Sequence, residues 1–230
     1  MKLLIIRHGD PDYSIDNLTP RGVIEVERLS ERLVAEEKIS KIYCSPLGRA
    51  RATAAPTAQK LGLEPIIHDW LREFPANIKT TYRPDGMCPW EMRPVHFGSI
   101  PELTGFESWK AVSPYAESRC PEVFDNICER MSELLAGHGY KRTGSLYEVQ
   151  EKNDETYAFF CHFGLGSALI SYFTEISLPQ LWLTAHLPTS SVTEIGFRMD
   201  DDNPALARAT CSGIGDLSHM YGSGMVKNRR

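Results

Sequence analysis

Apolar and polar positions along the chain alternate between two periods. Leu3-Leu4-Ile5-Ile6 is a continuous apolar run, the pattern of a strand covered on both faces, and it stops at the charged, glycine-containing turn Arg7-His8-Gly9. Thr19 then offers an N-cap before Pro20, and Val23, Val26, Leu29, Leu33 and Val34 recur at helical spacing. The pattern predicts an amphipathic helix from Pro20 to Glu37. Lys41 to Cys44 reads as the next strand, Leu47 to Leu61 as an Ala-rich helix closed by Gly62, and Pro65 to His68 as a third strand.

This β-α-β-α-β order predicts an α/β fold, a three-layer α/β/α sandwich around a mostly parallel central sheet. Such sheets hold ligands beyond the carboxyl ends of their strands, which is where the turn after Ile6 falls. From about Phe74 to Cys120 the periodicity gives way to Pro, Gly, Met and Trp, so that segment is read as an inserted, loop-rich cap. Pro121 opens a further helix with Val123, Phe124, Ile127, Met131, Leu134 and Leu135 on one side, ending near Gly137 and Gly139. Leu146 to Val149 and Thr156 to Cys161 are predicted strands. Gly164 to Ile176 and Leu178 to Thr184 are predicted helices, and Ser191 to Phe197 and Leu206 to Cys211 the last strands. The 230 residues are read as a single domain.

Composition narrows the function classes. A formal net charge of -5 gives no basic excess to draw the molecule to nucleic acid or anionic lipid, so neither partner is expected. Any anion site must be a local focus of arginine. The first apolar run is interrupted too early for a signal peptide or a membrane span, and the chain is read as soluble and cytoplasmic. The six cysteines show no C-x-x-C pair, so neither a disulfide framework nor a zinc site is expected. Nothing in the sequence sets an oligomeric state.

Four segments each deliver a phosphate-competent or proton-transferring group after a predicted strand: Arg7-His8-Gly9, Arg49, Glu73 and His162-Phe163-Gly164. Phosphoryl transfer needs an in-line nucleophile, cations on the equatorial oxygens and an acid for the departing alkoxide. The chain has one candidate for each role.

Taken in order, Leu3 to Gly9, Leu18-Thr19-Pro20-Arg21-Gly22, Cys44-Ser45-Pro46-Leu47-Gly48-Arg49-Ala50-Arg51-Ala52-Thr53-Ala54, Leu71-Arg72-Glu73 and Phe160 to Gly164 resemble the histidine phosphatase (phosphoglycerate mutase-like) superfamily. The likeness covers residues 1 to about 75 and about 155 to 198, and leaves the segment between unmatched. It implies a phosphoryl-transfer enzyme in which His8 attacks phosphorus through one ring nitrogen while the other donates to a backbone carbonyl. It further implies that Arg7, Arg49 and His162 bind the phosphate, and that Glu73 protonates the leaving oxygen and then activates water, with no cofactor and no metal. Asp69 and Glu91 are spare carboxylates, and Arg51 is read as a solvated charge. His68, His96, His138 and His219 are read as structural, and His186, just before Leu187-Pro188, is not assigned to the pocket. Trp90, Trp109, Tyr82 and Phe106 are read as packing of the cap, ahead of the alternative that they form an aromatic substrate wall.

Two departures bear on the branch. Phe163 stands where a small glycine is common, and Asp10-Pro11-Asp12-Tyr13 lacks the Asn that often follows in the mutase branch. The sequence therefore favours a phosphomonoester hydrolase on a small phosphorylated metabolite over a phosphoglycerate-type mutase. A phosphate-binding protein without turnover and metal-assisted hydrolysis through His8, His162 and Asp10 or Asp12 are the readings against it.

Overall fold

A computed structural model describes residues 1–221. In chain order the elements are β1 (Lys2–Arg7), β2 (Pro11–Asp12), β3 (Asn17–Leu18), α1 (Pro20–Glu36), β4 (Ile39–Cys44), α2 (Gly48–Leu61) and β5 (Ile66–Ile67). The middle of the chain forms β6 (Ile78–Thr80), β7 (Arg83–Met87), α3 (Pro94–Gly98) and α4 (Cys120–Ala136), with short 3-10 turns between them. There follow β8 (Tyr140–Thr143), β9 (Leu146–Val149), β10 (Thr156–Cys161), α5 (Phe163–Thr174), α6 (Leu178–Thr184), β11 (Val192–Met199) and β12 (Leu206–Asp216). Among the described residues no helix is long and apolar enough to cross a membrane. All six cysteines are free.

Eight strands form one sheet in the order β5-β4-β10-β1-β11-β12-β9-β8. The run Leu3 to Ile6 lies at its centre, where alternate side chains go to opposite faces. Leu3 and Ile5 join a core with Phe159, Leu165 and Leu169, under α4 and α5. Leu4 and Ile6 join a second core with Leu29, Leu33, Ala50, Ala54 and Phe160, under α1 and α2. These are the two faces of the expected three-layer sandwich.

The sheet is mixed, and the parallel character expected for most of it belongs to one half. β5, β4, β10 and β1 run parallel, whereas β11, β12, β9 and β8 pair antiparallel, as β1 does with β11. Connection length accounts for part of the division: parallel strands need a crossover, which α1 supplies between β1 and β4 and α2 between β4 and β5, while β11 and β12 are joined by a short link that permits only an antiparallel return. The tight β8–β9 hairpin turns through Gly144 at φ 63, and its first strand is an element the periodicity did not announce.

α1 begins where expected, with the Thr19 hydroxyl accepting from Gly22 N–H at 3.0 Å. The stretch from Phe74 to Cys120 carries little regular structure, yet it is not loose. Phe74, Ile78, Met87, Met92, Leu103, Trp109 and Tyr115 are buried in the same core as α4 and α5.

Candidate active site

Three adjacent parallel strands end side by side and place the first groups. β1 ends at Arg7 and runs into His8, β4 ends at Cys44 and runs into Ser45, and β10 ends at Cys161 and runs into His162. The turns are tied to one another through the backbone. His8 N–H donates to Cys161 O at 3.0 Å, Ser45 N–H donates to Phe160 O at 3.0 Å, and Ser190 N–H donates to His8 O at 3.0 Å. Arg49 comes from the first turn of α2, and Glu73 from the loop after β5.

The five residues singled out in the sequence are brought together. The rings of His8 and His162 lie 5.2 Å apart between centroids. His8 Nδ1 is 2.8 Å from Gly9 O. A carbonyl only accepts, so Nδ1 carries the proton and donates, leaving Nε2 with a free lone pair. Burial pushes the His8 imidazole down to about 4, and Arg7 and Arg49 add to that against the Gly9 hydrogen bond and Asp16, which oppose it. The ring is neutral at physiological pH.

His162 is fully buried, and its Nε2 lies 2.7 Å from Ser45 Oγ. Burial, then His8, Arg49 and Arg7, press it down to about 2, so it too is neutral. Its Nδ1 has no partner among the described residues, and the same holds for Arg7 Nε and Arg49 Nε. Two guanidinium N–H groups and a ring nitrogen that donates when Nδ1 carries the proton fit an anion, since each buried donor left without an acceptor costs about 1–3 kcal/mol.

Glu73 Oε1 accepts from Phe74 N–H at 2.8 Å and from Leu165 N–H at 3.1 Å. Burial nevertheless raises its carboxyl above the ordinary carboxylate range, with those two hydrogen bonds and then Arg7 and Arg49 opposing. The spare carboxylates do not compete: Asp69 and Glu91 are exposed. Arg51 and His186 are exposed as well.

Both arginines are already oriented. Arg7 Nη1 donates to Leu187 O at 2.6 Å, and Arg49 Nη1 meets Asp16 Oδ1 at 2.6 Å. Asp16 is one of three residues that motif reading missed. Its other oxygen accepts from Gly48 N–H at 2.7 Å, and a side chain on Gly48 would run into the Asp16 carbonyl at 2.0 Å. Thr53 is the second: its hydroxyl accepts from Gly9 N–H at 2.9 Å and donates to Arg49 O at 2.7 Å, joining the nucleophile's turn to the arginine's helix. Ser45 is the third; like Thr53, it was quoted above only within the matched motif, with no role of its own. For Asp16 no sequence signal was available, because its partners lie more than thirty positions away.

A buried neutral imidazole with a free nitrogen, ringed by two guanidinium groups and a second imidazole and accompanied by a carboxyl that burial raises above its ordinary range, makes this a phosphoryl-transfer enzyme. The family model of the histidine phosphatase superfamily (branch 1) matches residues 3–210, and the chain belongs to that superfamily. A protein of Hydrogenobacter thermophilus named putative phosphoserine phosphatase 2 is 25% identical over 205 residues, 84% of this chain and 88% of that one. Phosphoserine phosphatase from Entamoeba histolytica, solved with phosphoserine, superposes with a TM-score of 0.60 at 19% identity over 95% of this chain and 98% of that one. Mycobacterial glucosyl-3-phosphoglycerate phosphatase superposes with a TM-score of 0.62 at 18% identity over 93% of this chain and 98% of that one. Family and relatives support phosphatase activity.

Proposed function

We propose that the chain is a cofactor-independent phosphomonoester hydrolase that acts on a small phosphorylated metabolite through a phosphohistidine on His8. The observation that carries this reading is the His8 ring itself, held by Gly9 O with its other nitrogen free. Relatives named for phosphoserine and glucosyl-3-phosphoglycerate phosphatases support a hydrolase of small phosphate esters. The segment from Phe74 to Cys120 serves as the cap over the site, and the domain is read as continuous to residue 230, of which residues 222–230 lie outside the described ones.

In the first step His8 Nε2 attacks phosphorus as the bond to the leaving oxygen breaks, and Glu73 gives that oxygen its proton. Arg7, Arg49 and His162 Nδ1 hold the three equatorial oxygens. Ser45 sets the His162 tautomer: its hydroxyl, which accepts from Leu47 N–H at 3.3 Å, gives its proton to Nε2 in this reading, because the phosphate needs Nδ1 as the donor. In the second step the Glu73 carboxylate takes a proton from water, the water oxygen attacks phosphorus, and the P–N bond breaks. Inorganic phosphate leaves and both His8 and Glu73 return to their starting forms.

The test is phosphate release from a panel of phosphorylated metabolites, with acid-labile label trapped on the protein. The native chain releases phosphate and is labelled; His8→Ala does neither. Normal hydrolysis by His8→Ala defeats the mechanism, and isomerisation of a phosphoglycerate without phosphate release replaces the hydrolase with a mutase.

A further inference from the structure

The carboxyl assigned to the leaving group stands in an aromatic corner that holding a phosphate does not require. Gly164 leads to it. A methyl group there would lie 2.4 Å from Trp90 Cζ3 and 2.8 Å from Glu73 Oε1, so indole and carboxyl press on the same glycine. Phe163, one residue earlier, meets Trp90 edge to face with centroids 5.7 Å apart. The same ring lies 5.4 Å from the Arg7 guanidinium.

An unbroken path therefore runs from Arg7 through Phe163 and Trp90 to Glu73. On the proposed mechanism the leaving oxygen lies between the cation that holds the phosphoryl group and the acid that protonates it, which puts the carbon it carries on the side of Phe163 and Trp90. Neither ring is fully buried. The wall is braced from behind: Trp90 lies 5.9 Å from Trp182, whose indole N–H donates to Gly164 O at 3.2 Å. Rigid aromatic side chains of this kind give contact area at little cost in side-chain freedom. The aromatic residues read from the sequence as cap packing thus divide, since Trp109 is fully buried while Trp90 keeps an open side.

The charge in this corner points the same way. Arg7 and Arg49 are committed to the phosphoryl oxygens. The cap adds the exposed Glu91, which together with Glu73, and behind burial, pushes the Cys88 thiol up. A carboxylated leaving group would meet Glu91 here, with the nearby Arg72 exposed and 3.6 Å from Asp69, whereas a flat apolar one meets carbon.

We propose that Phe163 and Trp90 form a leaving-group subsite that selects phosphomonoesters whose alcohol carries an aromatic ring. The proposal rests on the phosphatase reading above, and the assay separates the two. kcat/KM for phosphate release is measured on the full chain with benzyl phosphate, ethyl phosphate and 3-phosphoglycerate. Benzyl and ethyl esters are both alkyl esters of similar leaving ability, so a difference between them reads binding of the ring. Benzyl phosphate is expected to exceed ethyl phosphate by about tenfold or more, the scale on which an apolar pocket discriminates, and to exceed 3-phosphoglycerate as well. Phe163→Leu and Trp90→Leu each reduce the benzyl-to-ethyl ratio, chiefly through KM; because the readout is a ratio, a general loss of activity cancels. Equal values for the two alkyl esters, a preference for 3-phosphoglycerate, or an unchanged ratio in Phe163→Leu overturns the subsite and leaves the phosphatase standing. No phosphate release from any ester, with no label on His8, refutes both.

Discussion

Gly164 and Gly166 lie two residues apart on α5, and replacing each by alanine should act with opposite sign. At position 166 the nearest atoms to a new methyl are Ile5 Cγ2 at 3.5 Å, Leu187 Cδ1 at 3.6 Å and Cys161 Sγ at 3.8 Å, ordinary contacts that need no movement. Alanine is favoured over glycine inside a helix by about 0.5–1 kcal/mol, so Gly166→Ala should stabilise by that amount. At position 164 the methyl would lie 2.4 and 2.9 Å from two carbons of Trp90 and 2.8 Å from Glu73 Oε1. Overpacking of this kind costs about 1–3 kcal/mol. A displaced Glu73 also weakens its hydrogen bond from Leu165 N–H, worth about 1 kcal/mol, which offsets the helix gain. The two variants should thus differ by about 1.5–4 kcal/mol, or roughly 3–16 °C in Tm for a chain of this size. Turnover separates them further, because misplacing a catalytic group by about 1 Å can cost about a hundredfold. Thermal unfolding followed by circular dichroism, together with phosphate release, measures both effects. If Gly164→Ala is as stable and as active as Gly166→Ala, then Trp90 and Glu73 do not press on this glycine, and the geometry of the acid is wrong.

His8 must be unprotonated to attack, and its imidazole is pushed down to about 4; the acid limb of kcat/KM, corrected for substrate ionisation, should therefore fall near pH 4, and a limb at the free imidazole value of 6.5 contradicts the burial argument. Glu73 must be protonated for the first step and is raised by burial, so the rate should fall again as pH rises through that elevated value; a profile flat toward high pH removes it as the acid. Ser45→Ala should leave the buried His162 Nε2 without a partner, at about 1–3 kcal/mol of stability, and ¹⁵N NMR of the ring should show the loss of a single tautomer together with slower phosphorylation of His8. Activity should persist in excess chelator; its loss, with return on adding a divalent ion, would favour the metal-assisted route.

Much of this molecule follows from local pattern. The apolar run at Leu3 to Ile6 needs cover on both faces and becomes the central strand. Thr19-Pro20 starts α1, and the 3.6-residue spacing of Val26, Leu29 and Leu33 turns that helix toward the sheet. The strands Leu146–Val149 and Thr156–Cys161 and the helix Leu178–Thr184 have the limits their patterns predict. Short-range signals suffice wherever an element is defined by its own period or its own cap. They fail at Tyr140–Thr143, a short strand of mixed polarity that exists only because β9 pairs with it.

The five central side chains were visible in the sequence because each lies at, or within several residues after, the end of a strand, and the parallel half of the sheet brings those ends together. Their electrostatic state was not visible there. That His8 and His162 are neutral, that Glu73 is raised, and that Asp16, Thr53 and Ser45 orient them depend on burial and on contacts between segments far apart in the chain. Sequence alone determined which residues are the candidates for the chemistry and which strands deliver them. Only the tertiary structure decided their protonation, their orientation and the aromatic wall beside the acid, because desolvation and contact arise when distant segments close over one another.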